Sequence, residues 1–335
     1  MTSVKNFLWS FRNTVRAIRK KLKLDFALPN WLKVVIYLAP VMILLAIFTF
    51  YPIVNAFRLV IYRGYNASDG SITGYTVLGN FITVLKESNF IFPSQGTASS
   101  AMLNTLVLVG IGVPISVIVS LIIAVALNSI KPLKNFFQTI FFLPYVTNSI
   151  AIGLVFAYMF RSGDAGLVNK LLSFIGVSSA SWIEVGATYW RAMGVLLIYT
   201  VWDSLAFKIM VFLSGIQGID KQFYQAAAID SANKGRIFKK ITVPLLSPMI
   251  FYIVITSIIG AFKTYTSVIA IFGDVGQPAG ARFTLKTIVF YIYDYLDVAT
   301  PGNMSLAAAA SIILFVLILF LTIIQLQISK KRVHY

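Results

Sequence analysis

Three charged side chains, Asp203, Lys208 and Lys263, lie inside long uncharged stretches of this chain. A charge within an apolar segment is costly to keep away from water, so such residues mark ion pairs or polar paths. Asp203 and Lys208 are five residues apart, about 140° around a helix, which is poor spacing for a pair on one helix. Asp203 and Lys263 fall at similar depth in their segments, so they are expected to pair or to face one polar pathway together, or else to be neutralised separately at an interface with another subunit. Nearby, Tyr145, Asn148, Tyr199, Tyr265 and Thr266 offer ring faces and hydrogen-bonding groups suited to a polar solute. The plainer alternative is that these side chains satisfy helix–helix contacts or sit in interfacial belts. Covalent and metal chemistry have little to work with. The chain has no cysteine and one histidine, His334, so thiolate sites, histidine relays and Ser-His-Asp sets are excluded. No G-x-x-x-x-G-K-[ST] phosphate loop occurs. No catalytic residue, metal or bound cofactor is therefore expected here.

The elements that must position these residues are membrane helices. Of 335 residues, 58% are hydrophobic and 12% charged, against roughly 25% charged in soluble domains. Six segments reach the length of about 20 residues that a spanning helix needs: 34–57, 102–128, 136–160, 192–214, 249–272 and 305–328. The fourth is the weakest, since Asp203 and Lys208 interrupt it. The fold class expected is an all-α membrane protein with six transmembrane helices and no internal repeat. An inverted-repeat carrier therefore has no support.

Basic residues set the orientation. Lys5, Arg12, Arg16, Arg19, Lys20, Lys21, Lys23 and Lys33 precede the first segment. Lys131 and Lys134 follow the second, Lys221, Lys234, Arg236, Lys239 and Lys240 follow the fourth, and Lys330, Lys331 and Arg332 follow the sixth. The opposite side has Arg58, Arg63, Lys86, Arg161, Lys170, Arg191, Arg282 and Lys286 over longer loops. Both termini are thus expected in the cytoplasm, and the net charge of +17 reflects membrane sidedness rather than nucleic-acid binding. Residues 1–33 form a basic segment in which Phe11, Val15, Ile18 and Leu22 recur at helical spacing, consistent with an amphipathic helix on anionic lipid or with a tail that only fixes topology. Residues 34–328 form the membrane domain, with an uncleaved first anchor, and residues 329–335 a basic tail.

Between the fourth and fifth segments lies a polar connector, 216–248, that contains YQAAAIDSANKGRIFKKITVPLLSP from Tyr224 to Pro248. Gln225 to Ile229 favour helix, Asp230 and Ser231 can interrupt or cap it, and Gly235 permits a sharp change of direction. A second short helix, Arg236 to Thr242, places Ile237 and Ile241 on one face. Pro244 and Pro248 mark the start of the fifth span. Such an angled pair of short helices is a stiff lever.

Gln225, Ala226, Ala227, Asp230, Ser231, Ala232, Phe238, Ile241, Pro244 and Pro248 resemble the EAA loop of binding-protein-dependent ABC importer permeases. The family's Glu is Gln225 here, which removes a charge from the contact with an ATPase. Its Gly is Ser231, which suggests a turn without positive φ. Leu78-Gly79-Asn80-Phe81, Asn104-Thr105-Leu106, Phe142-Leu143-Pro144, Trp202 with Phe207, Phe262-Lys263 and Gly273 to Pro278 resemble the carbohydrate-uptake branch, which includes the larger maltose permease subunit and glycerol-3-phosphate permeases. The resemblance implies a type I ABC importer permease in a bacterial plasma membrane, passing an oligosaccharide or related polyol by alternating access. It implies a second homologous permease, two ATPase subunits that bind ATP and Mg, and an extracytoplasmic solute-binding protein or lipoprotein. ATPase coupling would fall to Gln225, Ala226, Ala227, Asp230, Ser231, Gly235, Phe238, Ile241 and Pro244. An importer for a non-sugar solute, and less readily an ion-coupled carrier or channel, are the alternatives. An intramembrane enzyme lacks a catalytic constellation.

Overall fold

Proline shapes the helices in a repeated way. The computed structural model describes residue 13 and residues 29–87, 89–93, 99–130, 134–296 and 300–332. The proposed amphipathic helix around Phe11 to Leu22 and most of the basic tail lie outside these residues. Helix α1 runs Asn30–Leu59 and widens to a π turn at Ala46–Phe50, two residues before Pro52. The same happens at Leu108–Gly112 before Pro114 and at Phe238–Thr242 before Pro244. A proline ring removes the N–H bond to residue i−4 and clashes with that carbonyl. Widening the preceding turn moves the carbonyl aside without breaking the helix.

The chain divides into two units at residues 57 and 58. The first holds most of α1, in which no residue of Asn30–Leu45 is buried. The second begins with a short antiparallel hairpin, β1 (Tyr62–Arg63) and β2 (Gly74–Tyr75), and helix α2 (Gly79–Lys86). Asn80 staples this region, donating from Nδ2 to the carbonyls of Val60 at 2.8 Å and Tyr62 at 2.9 Å. Helix α3 follows, Ala101–Ser129. Its Asn104 donates to the carbonyls of Thr284 and Lys286 at 2.9 and 2.8 Å and accepts from the Tyr189 hydroxyl at 3.0 Å. The buried Asn104 amide is tolerated because both its nitrogen and its oxygen find partners.

The segment expected as one span over 136–160 is two helices, α4 (Lys134–Val146) and α5 (Ser149–Met159), bent by 100°. Asn148 sits at the bend, and its Oδ1 accepts from the backbone N–H groups of Ile150 and Ala151 at 2.9 and 3.3 Å. That cap satisfies the first donors of α5, so the chain restarts a helix there rather than continuing one. After helix α6 (Leu167–Ser173) comes α7, Tyr189–Gly218, a continuous helix of 30 residues. The segment expected to be weakest is thus unbroken, because Asp203 and Lys208 both line a cavity and need not meet lipid.

Helices α8 (Lys221–Ile229) and α9 (Lys234–Leu245) form the connector, and α10 (Ser247–Phe262) leaves α9 at 68°. The fifth span is also broken: α10 stops at Lys263, and α11 (Thr266–Phe272) restarts after Tyr265 at φ −143°, ψ −57°. The Thr287 hydroxyl donates to the Thr264 carbonyl inside that break. Helices α12 (Ile288–Asp294) and α13 (Asn303–Arg332) complete the chain. Among the described residues four helices, α1, α3, α7 and α13, are each long and apolar enough to cross a membrane, and up to six spans result by length and composition if the bent pairs α4–α5 and α9–α10 each count as one.

Close approach between helices uses small residues, as expected where lipid tails replace the hydrophobic drive. Gly153 of α5 faces Ala270 of α11, where an added Cβ would lie 2.2 Å from the Ala270 Cβ. Buried Ala307 to Ala310 let α13 pack against its neighbours.

Candidate functional site

A cavity of about 540 Å³ opens among α3, α4, α5, α7, α10 and the α10–α11 break. Volumes of this size suit a small-molecule ligand. Helix α7 supplies Thr200, Asp203, Ser204, Phe207 and Lys208; α3 supplies Ser116; α10 supplies Thr256 and Ser257; and the break supplies Lys263, Thr264 and Tyr265. Tyr145, Ser149, Thr266 and Ser267 complete the polar lining. The wall is therefore rich in hydroxyls, with three rings, two ammonium groups and one carboxylate.

Of the residues singled out from sequence, Tyr145, Asp203, Lys263, Tyr265 and Thr266 meet at this cavity. Tyr145 also stacks with Phe207, ring centroids 6.4 Å apart. Asn148 and Tyr199 do not line it. Asn148 is the cap of α5, and Tyr199 is fully buried, its hydroxyl donating to the Ser149 carbonyl at 2.6 Å. Both hold the wall in place from behind. Asp203 and Lys263 do not pair: among the described residues the ion pairs are Arg161 with Glu184 and Lys286 with Asp294. The second expectation, that both face one polar space, describes the arrangement. Asp203 lies beside Ser149.

Sequence reasoning passed over the partners of Lys208. Its Nζ donates to the hydroxyls of Ser116 on α3 and Ser204 one turn back on α7. Ser204 stands four residues before a lysine in an apolar helix, a legible signal. Ser116 is brought in only by packing.

The connector is the second feature. Asp220 caps α8 by accepting from the Gln222 N–H at 2.9 Å, and Asn233 caps α9 by accepting from Arg236 N–H at 2.7 Å. Between them the chain closes a Schellman turn. Ala232 N–H bonds the Ala227 carbonyl at 2.9 Å and Ser231 N–H the Ala228 carbonyl at 3.1 Å. Such a turn places its C′ residue in the left-handed region, and Ser231 has φ 51°. The expectation that serine here signals a turn without positive φ is overturned: serine occupies the strained position itself. Gly235 does not make the bend. It lies in the first turn of α9, outside the left-handed region, and the direction changes at Asp230 to Ala232. The second helix is longer than expected, Lys234–Leu245 rather than Arg236 to Thr242.

Exposure divides the connector in two. Ala227 is buried at 7% exposed, and Phe238, Ile241 and Pro244 are half-buried, so these face their own chain. Gln225, Ala226, Ile229, Asp230 and Ser231 are exposed, Ile229 at 85%. The Tyr224 hydroxyl lies 3.3 Å from that of Thr242, tying α8 to α9. Gly215 of α7 lets Leu246 and Met249 come close, since a Cβ there would lie 2.9 Å from Leu246. The junction between the connector and α10 therefore packs against α7, and α7 and α10 are two of the helices that wall the cavity.

The family described as binding-protein-dependent transport system inner membrane component matches residues 112–334. A probable ABC transporter permease of Mycoplasma genitalium is 31% identical over 301 residues, covering 88% of this chain and 84% of that protein. An arabinooligosaccharides transport system permease of Halalkalibacterium halodurans is 29% identical, covering 91% of this chain and 90% of that protein. An sn-glycerol-3-phosphate transport system permease of Brucella suis is also 29% identical, covering 92% and 98%. In fold, the chain is similar to a subunit in the crystal structure of a bacterial alginate ABC transporter in complex with an alginate pentasaccharide-bound periplasmic protein. The TM-score is 0.73 at 23% identity, with 93% of this chain and 97% of that chain covered.

Proposed function

The chain belongs to the binding-protein-dependent transport system inner membrane components, and from that premise we propose that it is the membrane permease of an ATP-driven importer for a carbohydrate. Its relatives named for arabinooligosaccharides, sn-glycerol-3-phosphate and lactose support the solute class. In this reading six spans cross the plasma membrane: α1, α3, α4–α5, α7, α10 together with α11, and α13. Both termini and the α8–α9 connector lie in the cytoplasm. A second permease, two ATPase subunits and an extracytoplasmic binding protein complete the machine, and the ATPases hold ATP and Mg.

One observation carries the reading: the two helices that flank the connector, α7 and α10, are also walls of the polar cavity. A push on α8 would tilt them together. The Gly215 contact transmits the tilt, and the breaks at Asn148 and at Lys263 to Tyr265 let α5 and α11 respond as separate pieces. The cavity would then face one side of the membrane at a time. Hydroxyls of Thr200, Thr256, Ser257 and Thr266 and the Asp203 carboxylate would exchange hydrogen bonds with sugar hydroxyls, while Tyr145 and Tyr265 offer ring faces. Exposed Ala226 and Ile229 mark the face of α8 that an ATPase would grip.

Uptake into proteoliposomes tests this. The chain, reconstituted with its neighbouring permease, ATPases and binding protein, should accumulate a member of a panel of oligosaccharides and polyol phosphates only when ATP is supplied. Accumulation without ATP, driven by a proton or sodium gradient, would contradict the proposal.

A further inference from the structure

Resting on the importer reading above, the geometry points to a solute that carries an anionic group, a phosphate or a carboxylate, bound in the cavity by Lys208 and Lys263. Lys208 is 6% exposed, and its recorded partners are two neutral hydroxyls, those of Ser116 and Ser204. An ammonium has three donors, and among the described residues the third has no acceptor and no carboxylate pairs with it. Burying a cation without a counter-charge is unfavourable. Lys263 stands at the α10–α11 break on the same cavity, exposed and likewise without an ion pair among the described residues. Asp203 is the single carboxylate on this wall and lies beside Ser149. The lining therefore carries two positive charges against one negative.

A neutral sugar would find hydroxyl partners here but would leave both ammonium groups uncompensated. An anionic sugar or polyol supplies the counter-charge and an acceptor for the third donor of Lys208. Lys263, being exposed in the cavity, would meet the anion first, and Lys208 would hold it deeper. Charge-assisted hydrogen bonds of this kind are stronger than neutral ones, so the lysines would choose among solutes that share a hydroxyl pattern.

The test uses the assembled transporter in proteoliposomes and a panel of paired probes: lactose and arabinotriose as neutral members, sn-glycerol 3-phosphate and an alginate trisaccharide as anionic ones. ATP-driven uptake of an anionic probe is expected. Lys263→Gln should cut it by about tenfold, one factor of ten in affinity, while Lys208→Arg, which keeps the charge, retains most of it. Lys208→Gln should abolish it with the complex still assembled. Uptake of neutral probes alone, or an anionic-to-neutral ratio unchanged by Lys263→Gln, overturns the inference and points to neutralisation by a neighbouring subunit, with the importer reading intact. Failure of any ATPase-bearing complex to form removes the importer reading, and the inference with it.

Discussion

Ser231 shows how one residue can carry a structural cost that its type conceals. A left-handed backbone costs an L-residue about 1–2 kcal/mol, and Ser231 adopts it at φ 51° to close the turn between α8 and α9. Ser231→Gly should therefore raise the thermal unfolding temperature of the detergent-purified chain, by an amount worth about 1 kcal/mol. Ser231→Val should lower it, since a β-branched residue is poorer still at positive φ. A lower temperature for the glycine variant would contradict the turn geometry. A second residue-scale test lies outside the spanning helices. The hydroxyls of Tyr291 and Tyr295 both donate to the Glu87 carboxylate. Burial, then the bond to Glu87, pushes Tyr295 up to about 12 from an ordinary 10.0. A raised folded value means the associated stability is full below pH 10 and is lost as pH climbs through about 12, because the unfolded phenol ionises first. Stability should fall over that window, and Tyr295→Phe should flatten the fall. The intramembrane charges were legible in the sequence because charge inside an apolar run is rare, while of their polar neighbours only Tyr145, Tyr265 and Thr266 were singled out. The roles of Asn148 and Tyr199 were not, since a cap and a buried hydroxyl depend on where the chain bends.

At the scale of elements, hydrophobic length picked out the four long helices and the two bent pairs, and the breaks were not legible. Residues 136–160 and 249–272 are mostly apolar, and mean hydropathy does not distinguish a straight helix from two joined at a sharp angle. What decides is local: the Asn148 carboxamide captures two N–H groups, and Thr287 secures the open backbone at Thr264. The bend in turn lets α5 lie against α11, with Gly153 on Ala270. Gly153→Ala is expected to destabilise the chain by about 1–3 kcal/mol through overpacking. Adding Ala270→Gly should recover much of that loss, which a double-mutant cycle of thermal unfolding would read as coupling. Additive losses would mean that the two positions do not touch. The connector was legible in order and spacing, while its hinge was assigned to Gly235 when the hydrogen bonds put it at Asp230 to Ala232. Glycine is a common signal for such a turn, and serine in its place hid the turn from view.

For the whole molecule, the family was readable from the order and spacing of residues in the polar connector between two apolar segments. The cavity was only half readable, because Ser116, Thr200, Thr256 and Ser257 are single hydroxyls in apolar helices, and only packing shows that they share a wall. The central claim is that force enters through the exposed face of α8 and reaches the cavity through α7 and α10. The most direct measurement is the amount of ATPase that co-purifies with the chain carrying Ala226→Arg, compared with Ala227→Ser on the inward face. A charged, bulky side chain in a packed interface should reduce retained ATPase by about tenfold or more, and the conservative inward change should leave it near the unmodified level. Full retention of ATPase by Ala226→Arg would contradict the account.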